Sequence, residues 1–322
     1  MASQTLSVGG SRGGREEAGS KGHSLSYRVA GLGVTLTSPR GGPRLTPEGG
    51  SREFVAAAGP DDLHLTVDWA DELDQPSGRL LFDSGGVWKL FRQRDGYAFS
   101  FCSPALGAAP YKLATVSHEF TRGCVLLARR HFDSRVPLQP LEYPLDEVLM
   151  IHRLGRGAGV ELHACGVADA RGRGLLFLGH SGAGKSTTAR LWKSVPGTKV
   201  LSDDRIILRR DFPRDLRREP EGLRIHGTPW HGEAGVAAAG SAPLRRVYFL
   251  EHAPRNEFAT LSGSRAAAEM LARSFVAHHS ASALEFTLDL LAEVVEQVPC
   301  HVFRFLPDAT SVRAIEDHGR ED

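Results

Sequence analysis

The stretch LLFLGHSGAGKSTTARLW, residues 175–192, limits the fold more than any other part of the sequence. It fits a pattern in which a glycine is followed by any four residues and then by Gly-Lys-Ser or Gly-Lys-Thr, with Gly179 first and Gly184-Lys185-Ser186 last. The apolar run GLLFL leads into the glycines, and KSTTARLW after them can begin a helix. This order of strand, glycine-rich loop and helix predicts an α/β fold with a phosphate-binding loop.

The residue types in this loop suit the phosphates of a nucleotide. Glycines let successive backbone N–H groups turn toward phosphate oxygens, and the helix N-terminus adds positive potential. In such a loop Lys185 reaches the β- and γ-phosphates and the Ser186 hydroxyl ligates Mg²⁺, so we expect ATP and Mg²⁺ as cofactors. The alternative is a glycine-rich turn whose lysine is merely solvated. The predicted nucleotide contacts are Gly179, Ser181, Gly182, Ala183, Gly184, Lys185, Ser186 and Thr187.

Two adjacent acids interrupt the apolar run KVLSDDRIIL that follows the loop. Asp203 and Asp204 are costly there unless cations or hydrogen-bond donors meet them. Neighbouring side chains of a regular strand point to opposite faces, so both acids reach one site only at a strand end or a bulge. One carboxylate beside a phosphate loop typically ligates Mg²⁺, and a second can orient an acceptor hydroxyl and take its proton. The alternative is a polar turn in which Arg205 pairs with one acid.

The composition of the whole chain excludes some classes of partner. The 322 residues carry a formal net charge of +1, so no strong field favours nucleic acid or an anionic membrane. The sequence has no run of about 18 apolar residues, no apolar N-terminal leader and no CxxC pair. We expect a soluble, cytoplasmic protein with reduced thiols that binds neither nucleic acid nor membrane, and leave open whether it forms a homo-oligomer.

The periodicity of the apolar residues divides the chain into three parts. Residues 1–23 are rich in Gly, Ser and charge and predict a disordered tail. Residues 24–140 alternate apolar and polar positions, as in DDLHLTVDWA, and with the turns SGG and DG they predict a β-rich, mostly antiparallel domain. Residues 141–322 predict the α/β domain, with one helix that starts near Pro144 and another over 284–298.

Residues 160–208 resemble the HPr kinase/phosphorylase family, whose nucleotide fold is shared with phosphoenolpyruvate carboxykinase. The resemblance is carried by VELHACGVADARGRGLLFLGHSGAGKSTTARLWKSVPGTKVLSDDRIIL, which has a histidine on an early strand, the phosphate loop and helix, and then Asp-Asp-Arg. It implies an α/β P-loop phosphoryl-transfer domain of the HPr kinase/PEP carboxykinase type, here preceded by a smaller β-rich domain. The resemblance does not cover residues 1–140.

The resemblance also implies roles for particular residues. His163 matches the family's active-site histidine, Lys185 its loop lysine and Ser186 its magnesium hydroxyl. Asp204 matches the acid that takes the proton of the acceptor, and Asp203 is its neighbour in the metal-bound network. The implied catalytic residues are therefore Asp204, Asp203, His163 and Lys185, and the implied metal ligands are Ser186 and Asp203.

One stretch departs from the family pattern. The bifunctional members have a metal-binding glutamate just before Ile-Arg-Gly, whereas GLRIHGTPWHGE has Arg224 near that position and Glu233 further on. The metal glutamate therefore has no counterpart in register, which puts a reverse phosphorylase activity in doubt. The segment GTPWHGE is similar to divergent HPr-kinase-like proteins associated with peptide-modification gene sets. That similarity implies an acceptor other than HPr.

The loop and the adjacent acids favour an ATP-dependent kinase that transfers the γ-phosphoryl group to a hydroxyl, and the resemblance implies a Ser or Thr of a peptide or small protein as acceptor. A small-molecule kinase or carboxykinase-like enzyme is one alternative, since an acidic metabolite would need clustered arginines. A non-catalytic, ATP-dependent switch is another, with nucleotide serving only to order the GTPWHGE segment. The arginines available to the first alternative are Arg205, Arg224, Arg245, Arg246 and Arg273.

Overall fold

The computed structural model describes residues 22–57, 59, 61–210 and 222–319. These residues form a mixed α/β protein with two large β-sheets and few helices. Most of the tail predicted over residues 1–23 lies outside the described residues, but His23 already begins the first strand.

The first sheet has eight strands, hydrogen-bonded in the order β1-β2-β3-β8-β7-β6-β5-β4. Most neighbours are antiparallel, as predicted, but β3 runs parallel to both β2 and β8. The predicted turns at Ser84-Gly85-Gly86 and Asp95-Gly96 join β4 to β5 and β5 to β6. The strands are β1 (His23–Val29), β2 (Leu32–Ser38), β3 (Leu63–Ala70), β4 (Arg79–Asp83), β5 (Trp88–Gln93), β6 (Gly96–Ser103), β7 (Gly107–Ser117) and β8 (Arg122–Ala128).

Alternation along the strands creates the apolar face of this sheet. In β3, Leu63, Leu65 and Val67 are fully buried while the residues between them are more exposed. Helix α1 (Leu145–Leu154) packs its own apolar face on the same core, including Leu145 and Leu149. Because α1 follows the first sheet directly in the chain, it connects that sheet to the second half of the molecule.

Among the described residues the second sheet has nine strands, and five of them form a closed path of hydrogen-bonded neighbours. β9 and β14 each pair with several strands, so β10, β9, β12, β13 and β14 form a closed path of neighbours. In the same sheet β14 runs parallel to both β10 and β17, so the carboxyl ends of these three strands lie at one edge. The strands are β9 (Val160–Ala168), β10 (Gly174–Leu178), β11 (Lys199–Ser202), β12 (Arg205–Arg210), β13 (Leu223–His226), β14 (Ser241–His252), β15 (Glu257–Thr260), β16 (Ser274–Phe275) and β17 (Cys300–Phe305).

Helices cover both faces of the second sheet. On one face α2 (Lys185–Lys193) and α5 (Ala309–His318) bury Trp192 and Ile315 against the strands. On the other face α3 (Gly263–Leu271) and α4 (Ala281–Gln297) bury Met270 and Leu290. None of the helices in the described part of the chain has the length and apolar character that crossing a membrane would require.

Candidate functional site

The glycine-rich loop joins the carboxyl end of β10 to the start of α2, the order that the sequence predicts. Gly182 has φ of +81° and Gly184 has φ of +105°, a left-handed conformation that favours glycine. A Cβ on Gly184 would also lie 2.5 Å from Cζ of Phe305, which is the last residue of β17. The end of β17 therefore packs directly against the loop at Gly184.

Lys185 is held by carbonyls of its own loop. Its side chain is buried, and Nζ donates to the carbonyl oxygens of Gly179 at 2.8 Å and His180 at 3.2 Å. Burial lowers the pKa of Lys185, and the nearby positive charges of Arg273 and Arg205 lower it further, while Asp204 opposes them. The loop thus presents a cation at the beginning of α2.

A cleft of about 360 Å³ opens in front of this loop. It brings together His163, Lys185, Ser186 and Asp204, which the sequence predicts as site residues. Gly179 does not line the cleft and contributes its carbonyl to Lys185 instead. The other predicted loop contacts are divided: Ala183 is buried, whereas the lining includes Ser181, Gly182, Gly184 and Thr187.

Asp204 is clamped from two sides. His163 Nε2 lies 2.9 Å from one carboxylate oxygen, and Arg205 Nη1 donates to the other. Strand pairing explains the first contact, because Arg205 of β12 lies opposite His163 of β9. Burial raises the pKa of Asp204, but the hydrogen bond from His163 and the charges of Arg205 and Lys185 outweigh it, so the pKa falls below its usual value. The carboxylate therefore stays ionised at neutral pH.

Asp203 has a different environment from its neighbour. It is 1% exposed, and its carboxylate accepts backbone N–H groups of Gly232 at 3.1 Å, Ala234 at 2.8 Å and Val236 at 3.1 Å. It does not line the cleft. The chain bends between β11 and β12, so the two side chains diverge. Asp203, which the sequence predicts as a metal ligand, instead anchors residues 232–236, the end of GTPWHGE and the residues that follow it.

Arg205 connects Asp204 to a buried acidic pair. Its Nε donates to Glu147 of α1 at 2.6 Å and lies 3.5 Å from Glu161 of β9. Glu161 is fully buried, and burial together with repulsion from Glu147 raises its pKa well above the usual value. The guanidinium also lies over the ring of Phe275, 4.3 Å from the centroid. These contacts fix the position of Arg205 and through it that of Asp204.

Four further residues line the cleft that are not among the predicted site residues: Arg190, Gly232, Glu233 and His252. His252 ends β14, donates from Nε2 to the carbonyl of Gly182 at 3.0 Å and stacks on Phe305. A polar residue at the end of the apolar strand VYFLEH was the available signal, because carboxyl ends of parallel strands meet at one edge. Glu233 enters the cleft because Asp203 anchors the residues on either side of it.

The cleft contains a few oxygen atoms that could ligate a metal ion. Among the residues that the structure describes, no group of three or more His, Cys, Asp and Glu side chains could hold a metal ion. The cleft offers the Ser186 hydroxyl and the carboxylates of Asp204 and Glu233. This is the kind of sparse oxygen set that Mg²⁺ uses when phosphate oxygens complete its shell.

No protein-family model matches the chain, and no curated protein matches it.

Proposed function

We propose that the protein is an ATP-dependent phosphotransferase, built on a P-loop domain of the HPr kinase/PEP carboxykinase type, that phosphorylates a Ser or Thr hydroxyl of a peptide or small protein. One observation carries the proposal: the carboxylate of Asp204, paired with His163, lines the same cleft as Lys185 and Ser186. Phosphorylation of a hydroxyl needs a site that binds the phosphoryl donor and a base that accepts the proton of the hydroxyl. A phosphate-binding loop that faces a positioned carboxylate supplies both.

In the proposed reaction the loop N–H groups and Lys185 hold the triphosphate in line with the incoming hydroxyl. Asp204 orients that hydroxyl and accepts its proton as the new O–P bond forms and the bond between the γ-phosphorus and the leaving ADP breaks. A lowered pKa makes Asp204 a weak base. This suits a loose transition state, in which the proton leaves late and positioning contributes more than basicity.

We propose that Ser186 and Glu233 hold a Mg²⁺ ion together with the nucleotide phosphates. When bound, that ion neutralises charge that develops on the transferred group. Asp203 is left out of this ligand set because backbone N–H groups already occupy its carboxylate. Its part in the proposed reaction is to hold the segment that carries Glu233.

The arrangement of the arginines favours a peptide over an acidic metabolite. Arg245 and Arg246 line a separate cavity, and Arg224 of β13 hydrogen-bonds Ser241. Arg205 is paired with Glu147 and Asp204, and Arg273 with Glu269. None of these five arginines lines the cleft in front of the glycine-rich loop, where Arg190 is the arginine present. A small-molecule kinase thus finds less support here than a kinase with a larger, less acidic acceptor.

Transfer of label from ATP tests the proposal. The protein is incubated with γ-labelled ATP and Mg²⁺, in separate reactions with a mixture of Ser/Thr peptides, with a mixture of hydroxylated metabolites, and without acceptor. We expect label in peptide, and none with Lys185→Ala. Label only in a metabolite would support the small-molecule kinase, and ATP binding without transfer to either mixture would support the switch.

A further inference from the structure

A second concave surface lies beside the candidate active site. We call it the apolar groove: a cavity of about 490 Å³ between the β4–β5 hairpin, α1 and the segment that begins with β16. Its apolar walls include Leu81, Phe82, Trp88, Ile151, Phe275 and Val276. Residues of both the first sheet and the α/β half of the molecule therefore line the groove.

Large apolar side chains at this groove remain exposed. Phe82 is 47% exposed although it stacks on Trp88 at 4.8 Å, and Tyr143 is 66% exposed. Phe82 belongs to β4, an edge strand whose residues are mostly exposed. Exposed aromatic groups of this size on a concave surface are typical of binding sites.

The apolar groove adjoins the candidate active site. A middle cleft of about 520 Å³ shares Tyr143 and Glu147 with the groove. It shares Asp204 with the cleft in front of the glycine-rich loop. Phe275 forms a wall between them, because its ring contacts Arg205 and lies 6.4 Å from the ring of His163. A chain bound along this path would present one residue to Asp204 and a neighbouring side chain to the groove.

One wall of the groove includes a buried histidine. His152 lines the groove and is 8% exposed, and its Nδ1 donates to the carbonyl of Val148 at 2.7 Å. Its Nε2 has no hydrogen-bond partner among the described residues. Burial lowers the pKa of His152 to about 4, so the ring is neutral and Nε2 is a hydrogen-bond acceptor. Its ring stacks on Phe120 and lies edge-on to Phe99, so His152 gives the groove an uncharged wall.

The geometry points to the apolar groove as the docking site for an aromatic or large aliphatic side chain of the acceptor peptide, within a few residues of the phosphorylated Ser or Thr. This inference rests on the proposed function. A peptide side chain of this kind suits the surface because the walls of the groove are largely apolar, and because the groove shares Tyr143 and Glu147 with the middle cleft that contains Asp204.

A positional-scanning peptide library tests this inference. Each peptide has a central Ser, and the wild-type protein phosphorylates the mixtures with γ-labelled ATP and Mg²⁺. We expect selection for aromatic or large aliphatic residues at one fixed position near the Ser. Phe82→Ser should lower kcat/KM for the best peptide about 10-fold and leave its rate on an alanine-substituted peptide unchanged. Val136→Ser removes another exposed side chain, 56% exposed and not part of the groove, and should change neither rate.

Binding experiments separate this inference from the proposed function. Peptides selected from a displayed library are labelled, and their fluorescence anisotropy is measured with wild type and both variants. Binding that is weakened about 10-fold by Phe82→Ser only, without any phosphorylation, would uphold the groove and overturn the kinase proposal. Equal behaviour of Phe82→Ser and Val136→Ser in both assays would overturn the groove. So would self-association of the wild type that Phe82→Ser abolishes, since a second copy would then be the occupant.

Discussion

At the scale of single residues, identical side chains have different roles because their neighbours differ. Asp203 satisfies three backbone N–H groups of one segment, whereas Asp204 lies between His163 and Arg205 at the cleft. The sequence predicts both acids near the phosphate loop. It does not predict that Asp203 is buried while Asp204 lines the cleft. That difference depends on where residues 232–236, far along the chain from Asp203, fold back.

The contact between His163 and Asp204 predicts a pH effect. In His163→Ala the hydrogen bond that lowers the pKa of Asp204 is lost, so burial counts for more and the pKa rises. On the acid side of the pH profile, kcat/KM falls because Asp204 becomes protonated and can no longer accept a proton. This fall, the acid limb, should therefore move to higher pH. At neutral pH we expect activity to fall about 10- to 100-fold because the carboxylate is less well positioned.

His163→Gln is the matched variant, since its amide can still donate to Asp204. It should restore part of the rate and move the acid limb back toward that of the wild type. An unchanged acid limb in His163→Ala would show that His163 does not set the pKa of the catalytic group.

At the scale of elements, local pattern predicts the strand, loop and helix over residues 174–193 because every signal lies within one short stretch. Local pattern does not predict which glycine of the loop is most costly to replace. Gly182 and Gly184 both have positive φ, but Gly184 alone meets Phe305, a residue that arrives from a distant strand. Contacts of this kind become visible only once the parallel strands are placed side by side.

The two glycines give a matched pair of substitutions. Gly182→Ala should lower the free energy of unfolding by about 1–2 kcal/mol, the cost of a left-handed alanine. Gly184→Ala should cost about 1–3 kcal/mol more, because Phe305 is buried and cannot move away from the new methyl group. Urea denaturation measures both. The double variant Gly184→Ala with Phe305→Leu should show a favourable coupling, and strict additivity would contradict the contact.

At the scale of the whole molecule, α1 links the first sheet to the candidate active site. Asp146 accepts from Trp230 Nε1 at 2.8 Å, and Glu147 accepts from Arg205. The sequence predicts α1, and it predicts sheet-rich and α/β regions, because periodicity is local. It does not predict that β10 pairs with β14 or that acids of α1 reach Arg205, since those contacts join residues far apart in the chain.

Asp146 at this junction predicts how stability varies with pH. Burial raises its pKa to about 7 in the folded protein, from an ordinary value near 3.8. The folded state therefore binds the proton more tightly, and this stability is lost as pH rises through 7. From pH 5 to pH 8 the loss amounts to about 2–3 kcal/mol for this group. Asp146→Asn cannot titrate, so urea denaturation should show a flatter decline over that range, and an equally steep decline would contradict the assignment.

The most direct measurement for the whole account compares ATP binding with phosphoryl transfer in Asp204→Asn. The amide keeps the size of the carboxylate but removes the proton acceptor, while Lys185 and the loop are untouched. We predict ATP affinity within a few-fold of wild type and transfer to peptide reduced about 10²- to 10⁴-fold, whereas Lys185→Ala weakens both. Near-normal transfer by Asp204→Asn would contradict the account.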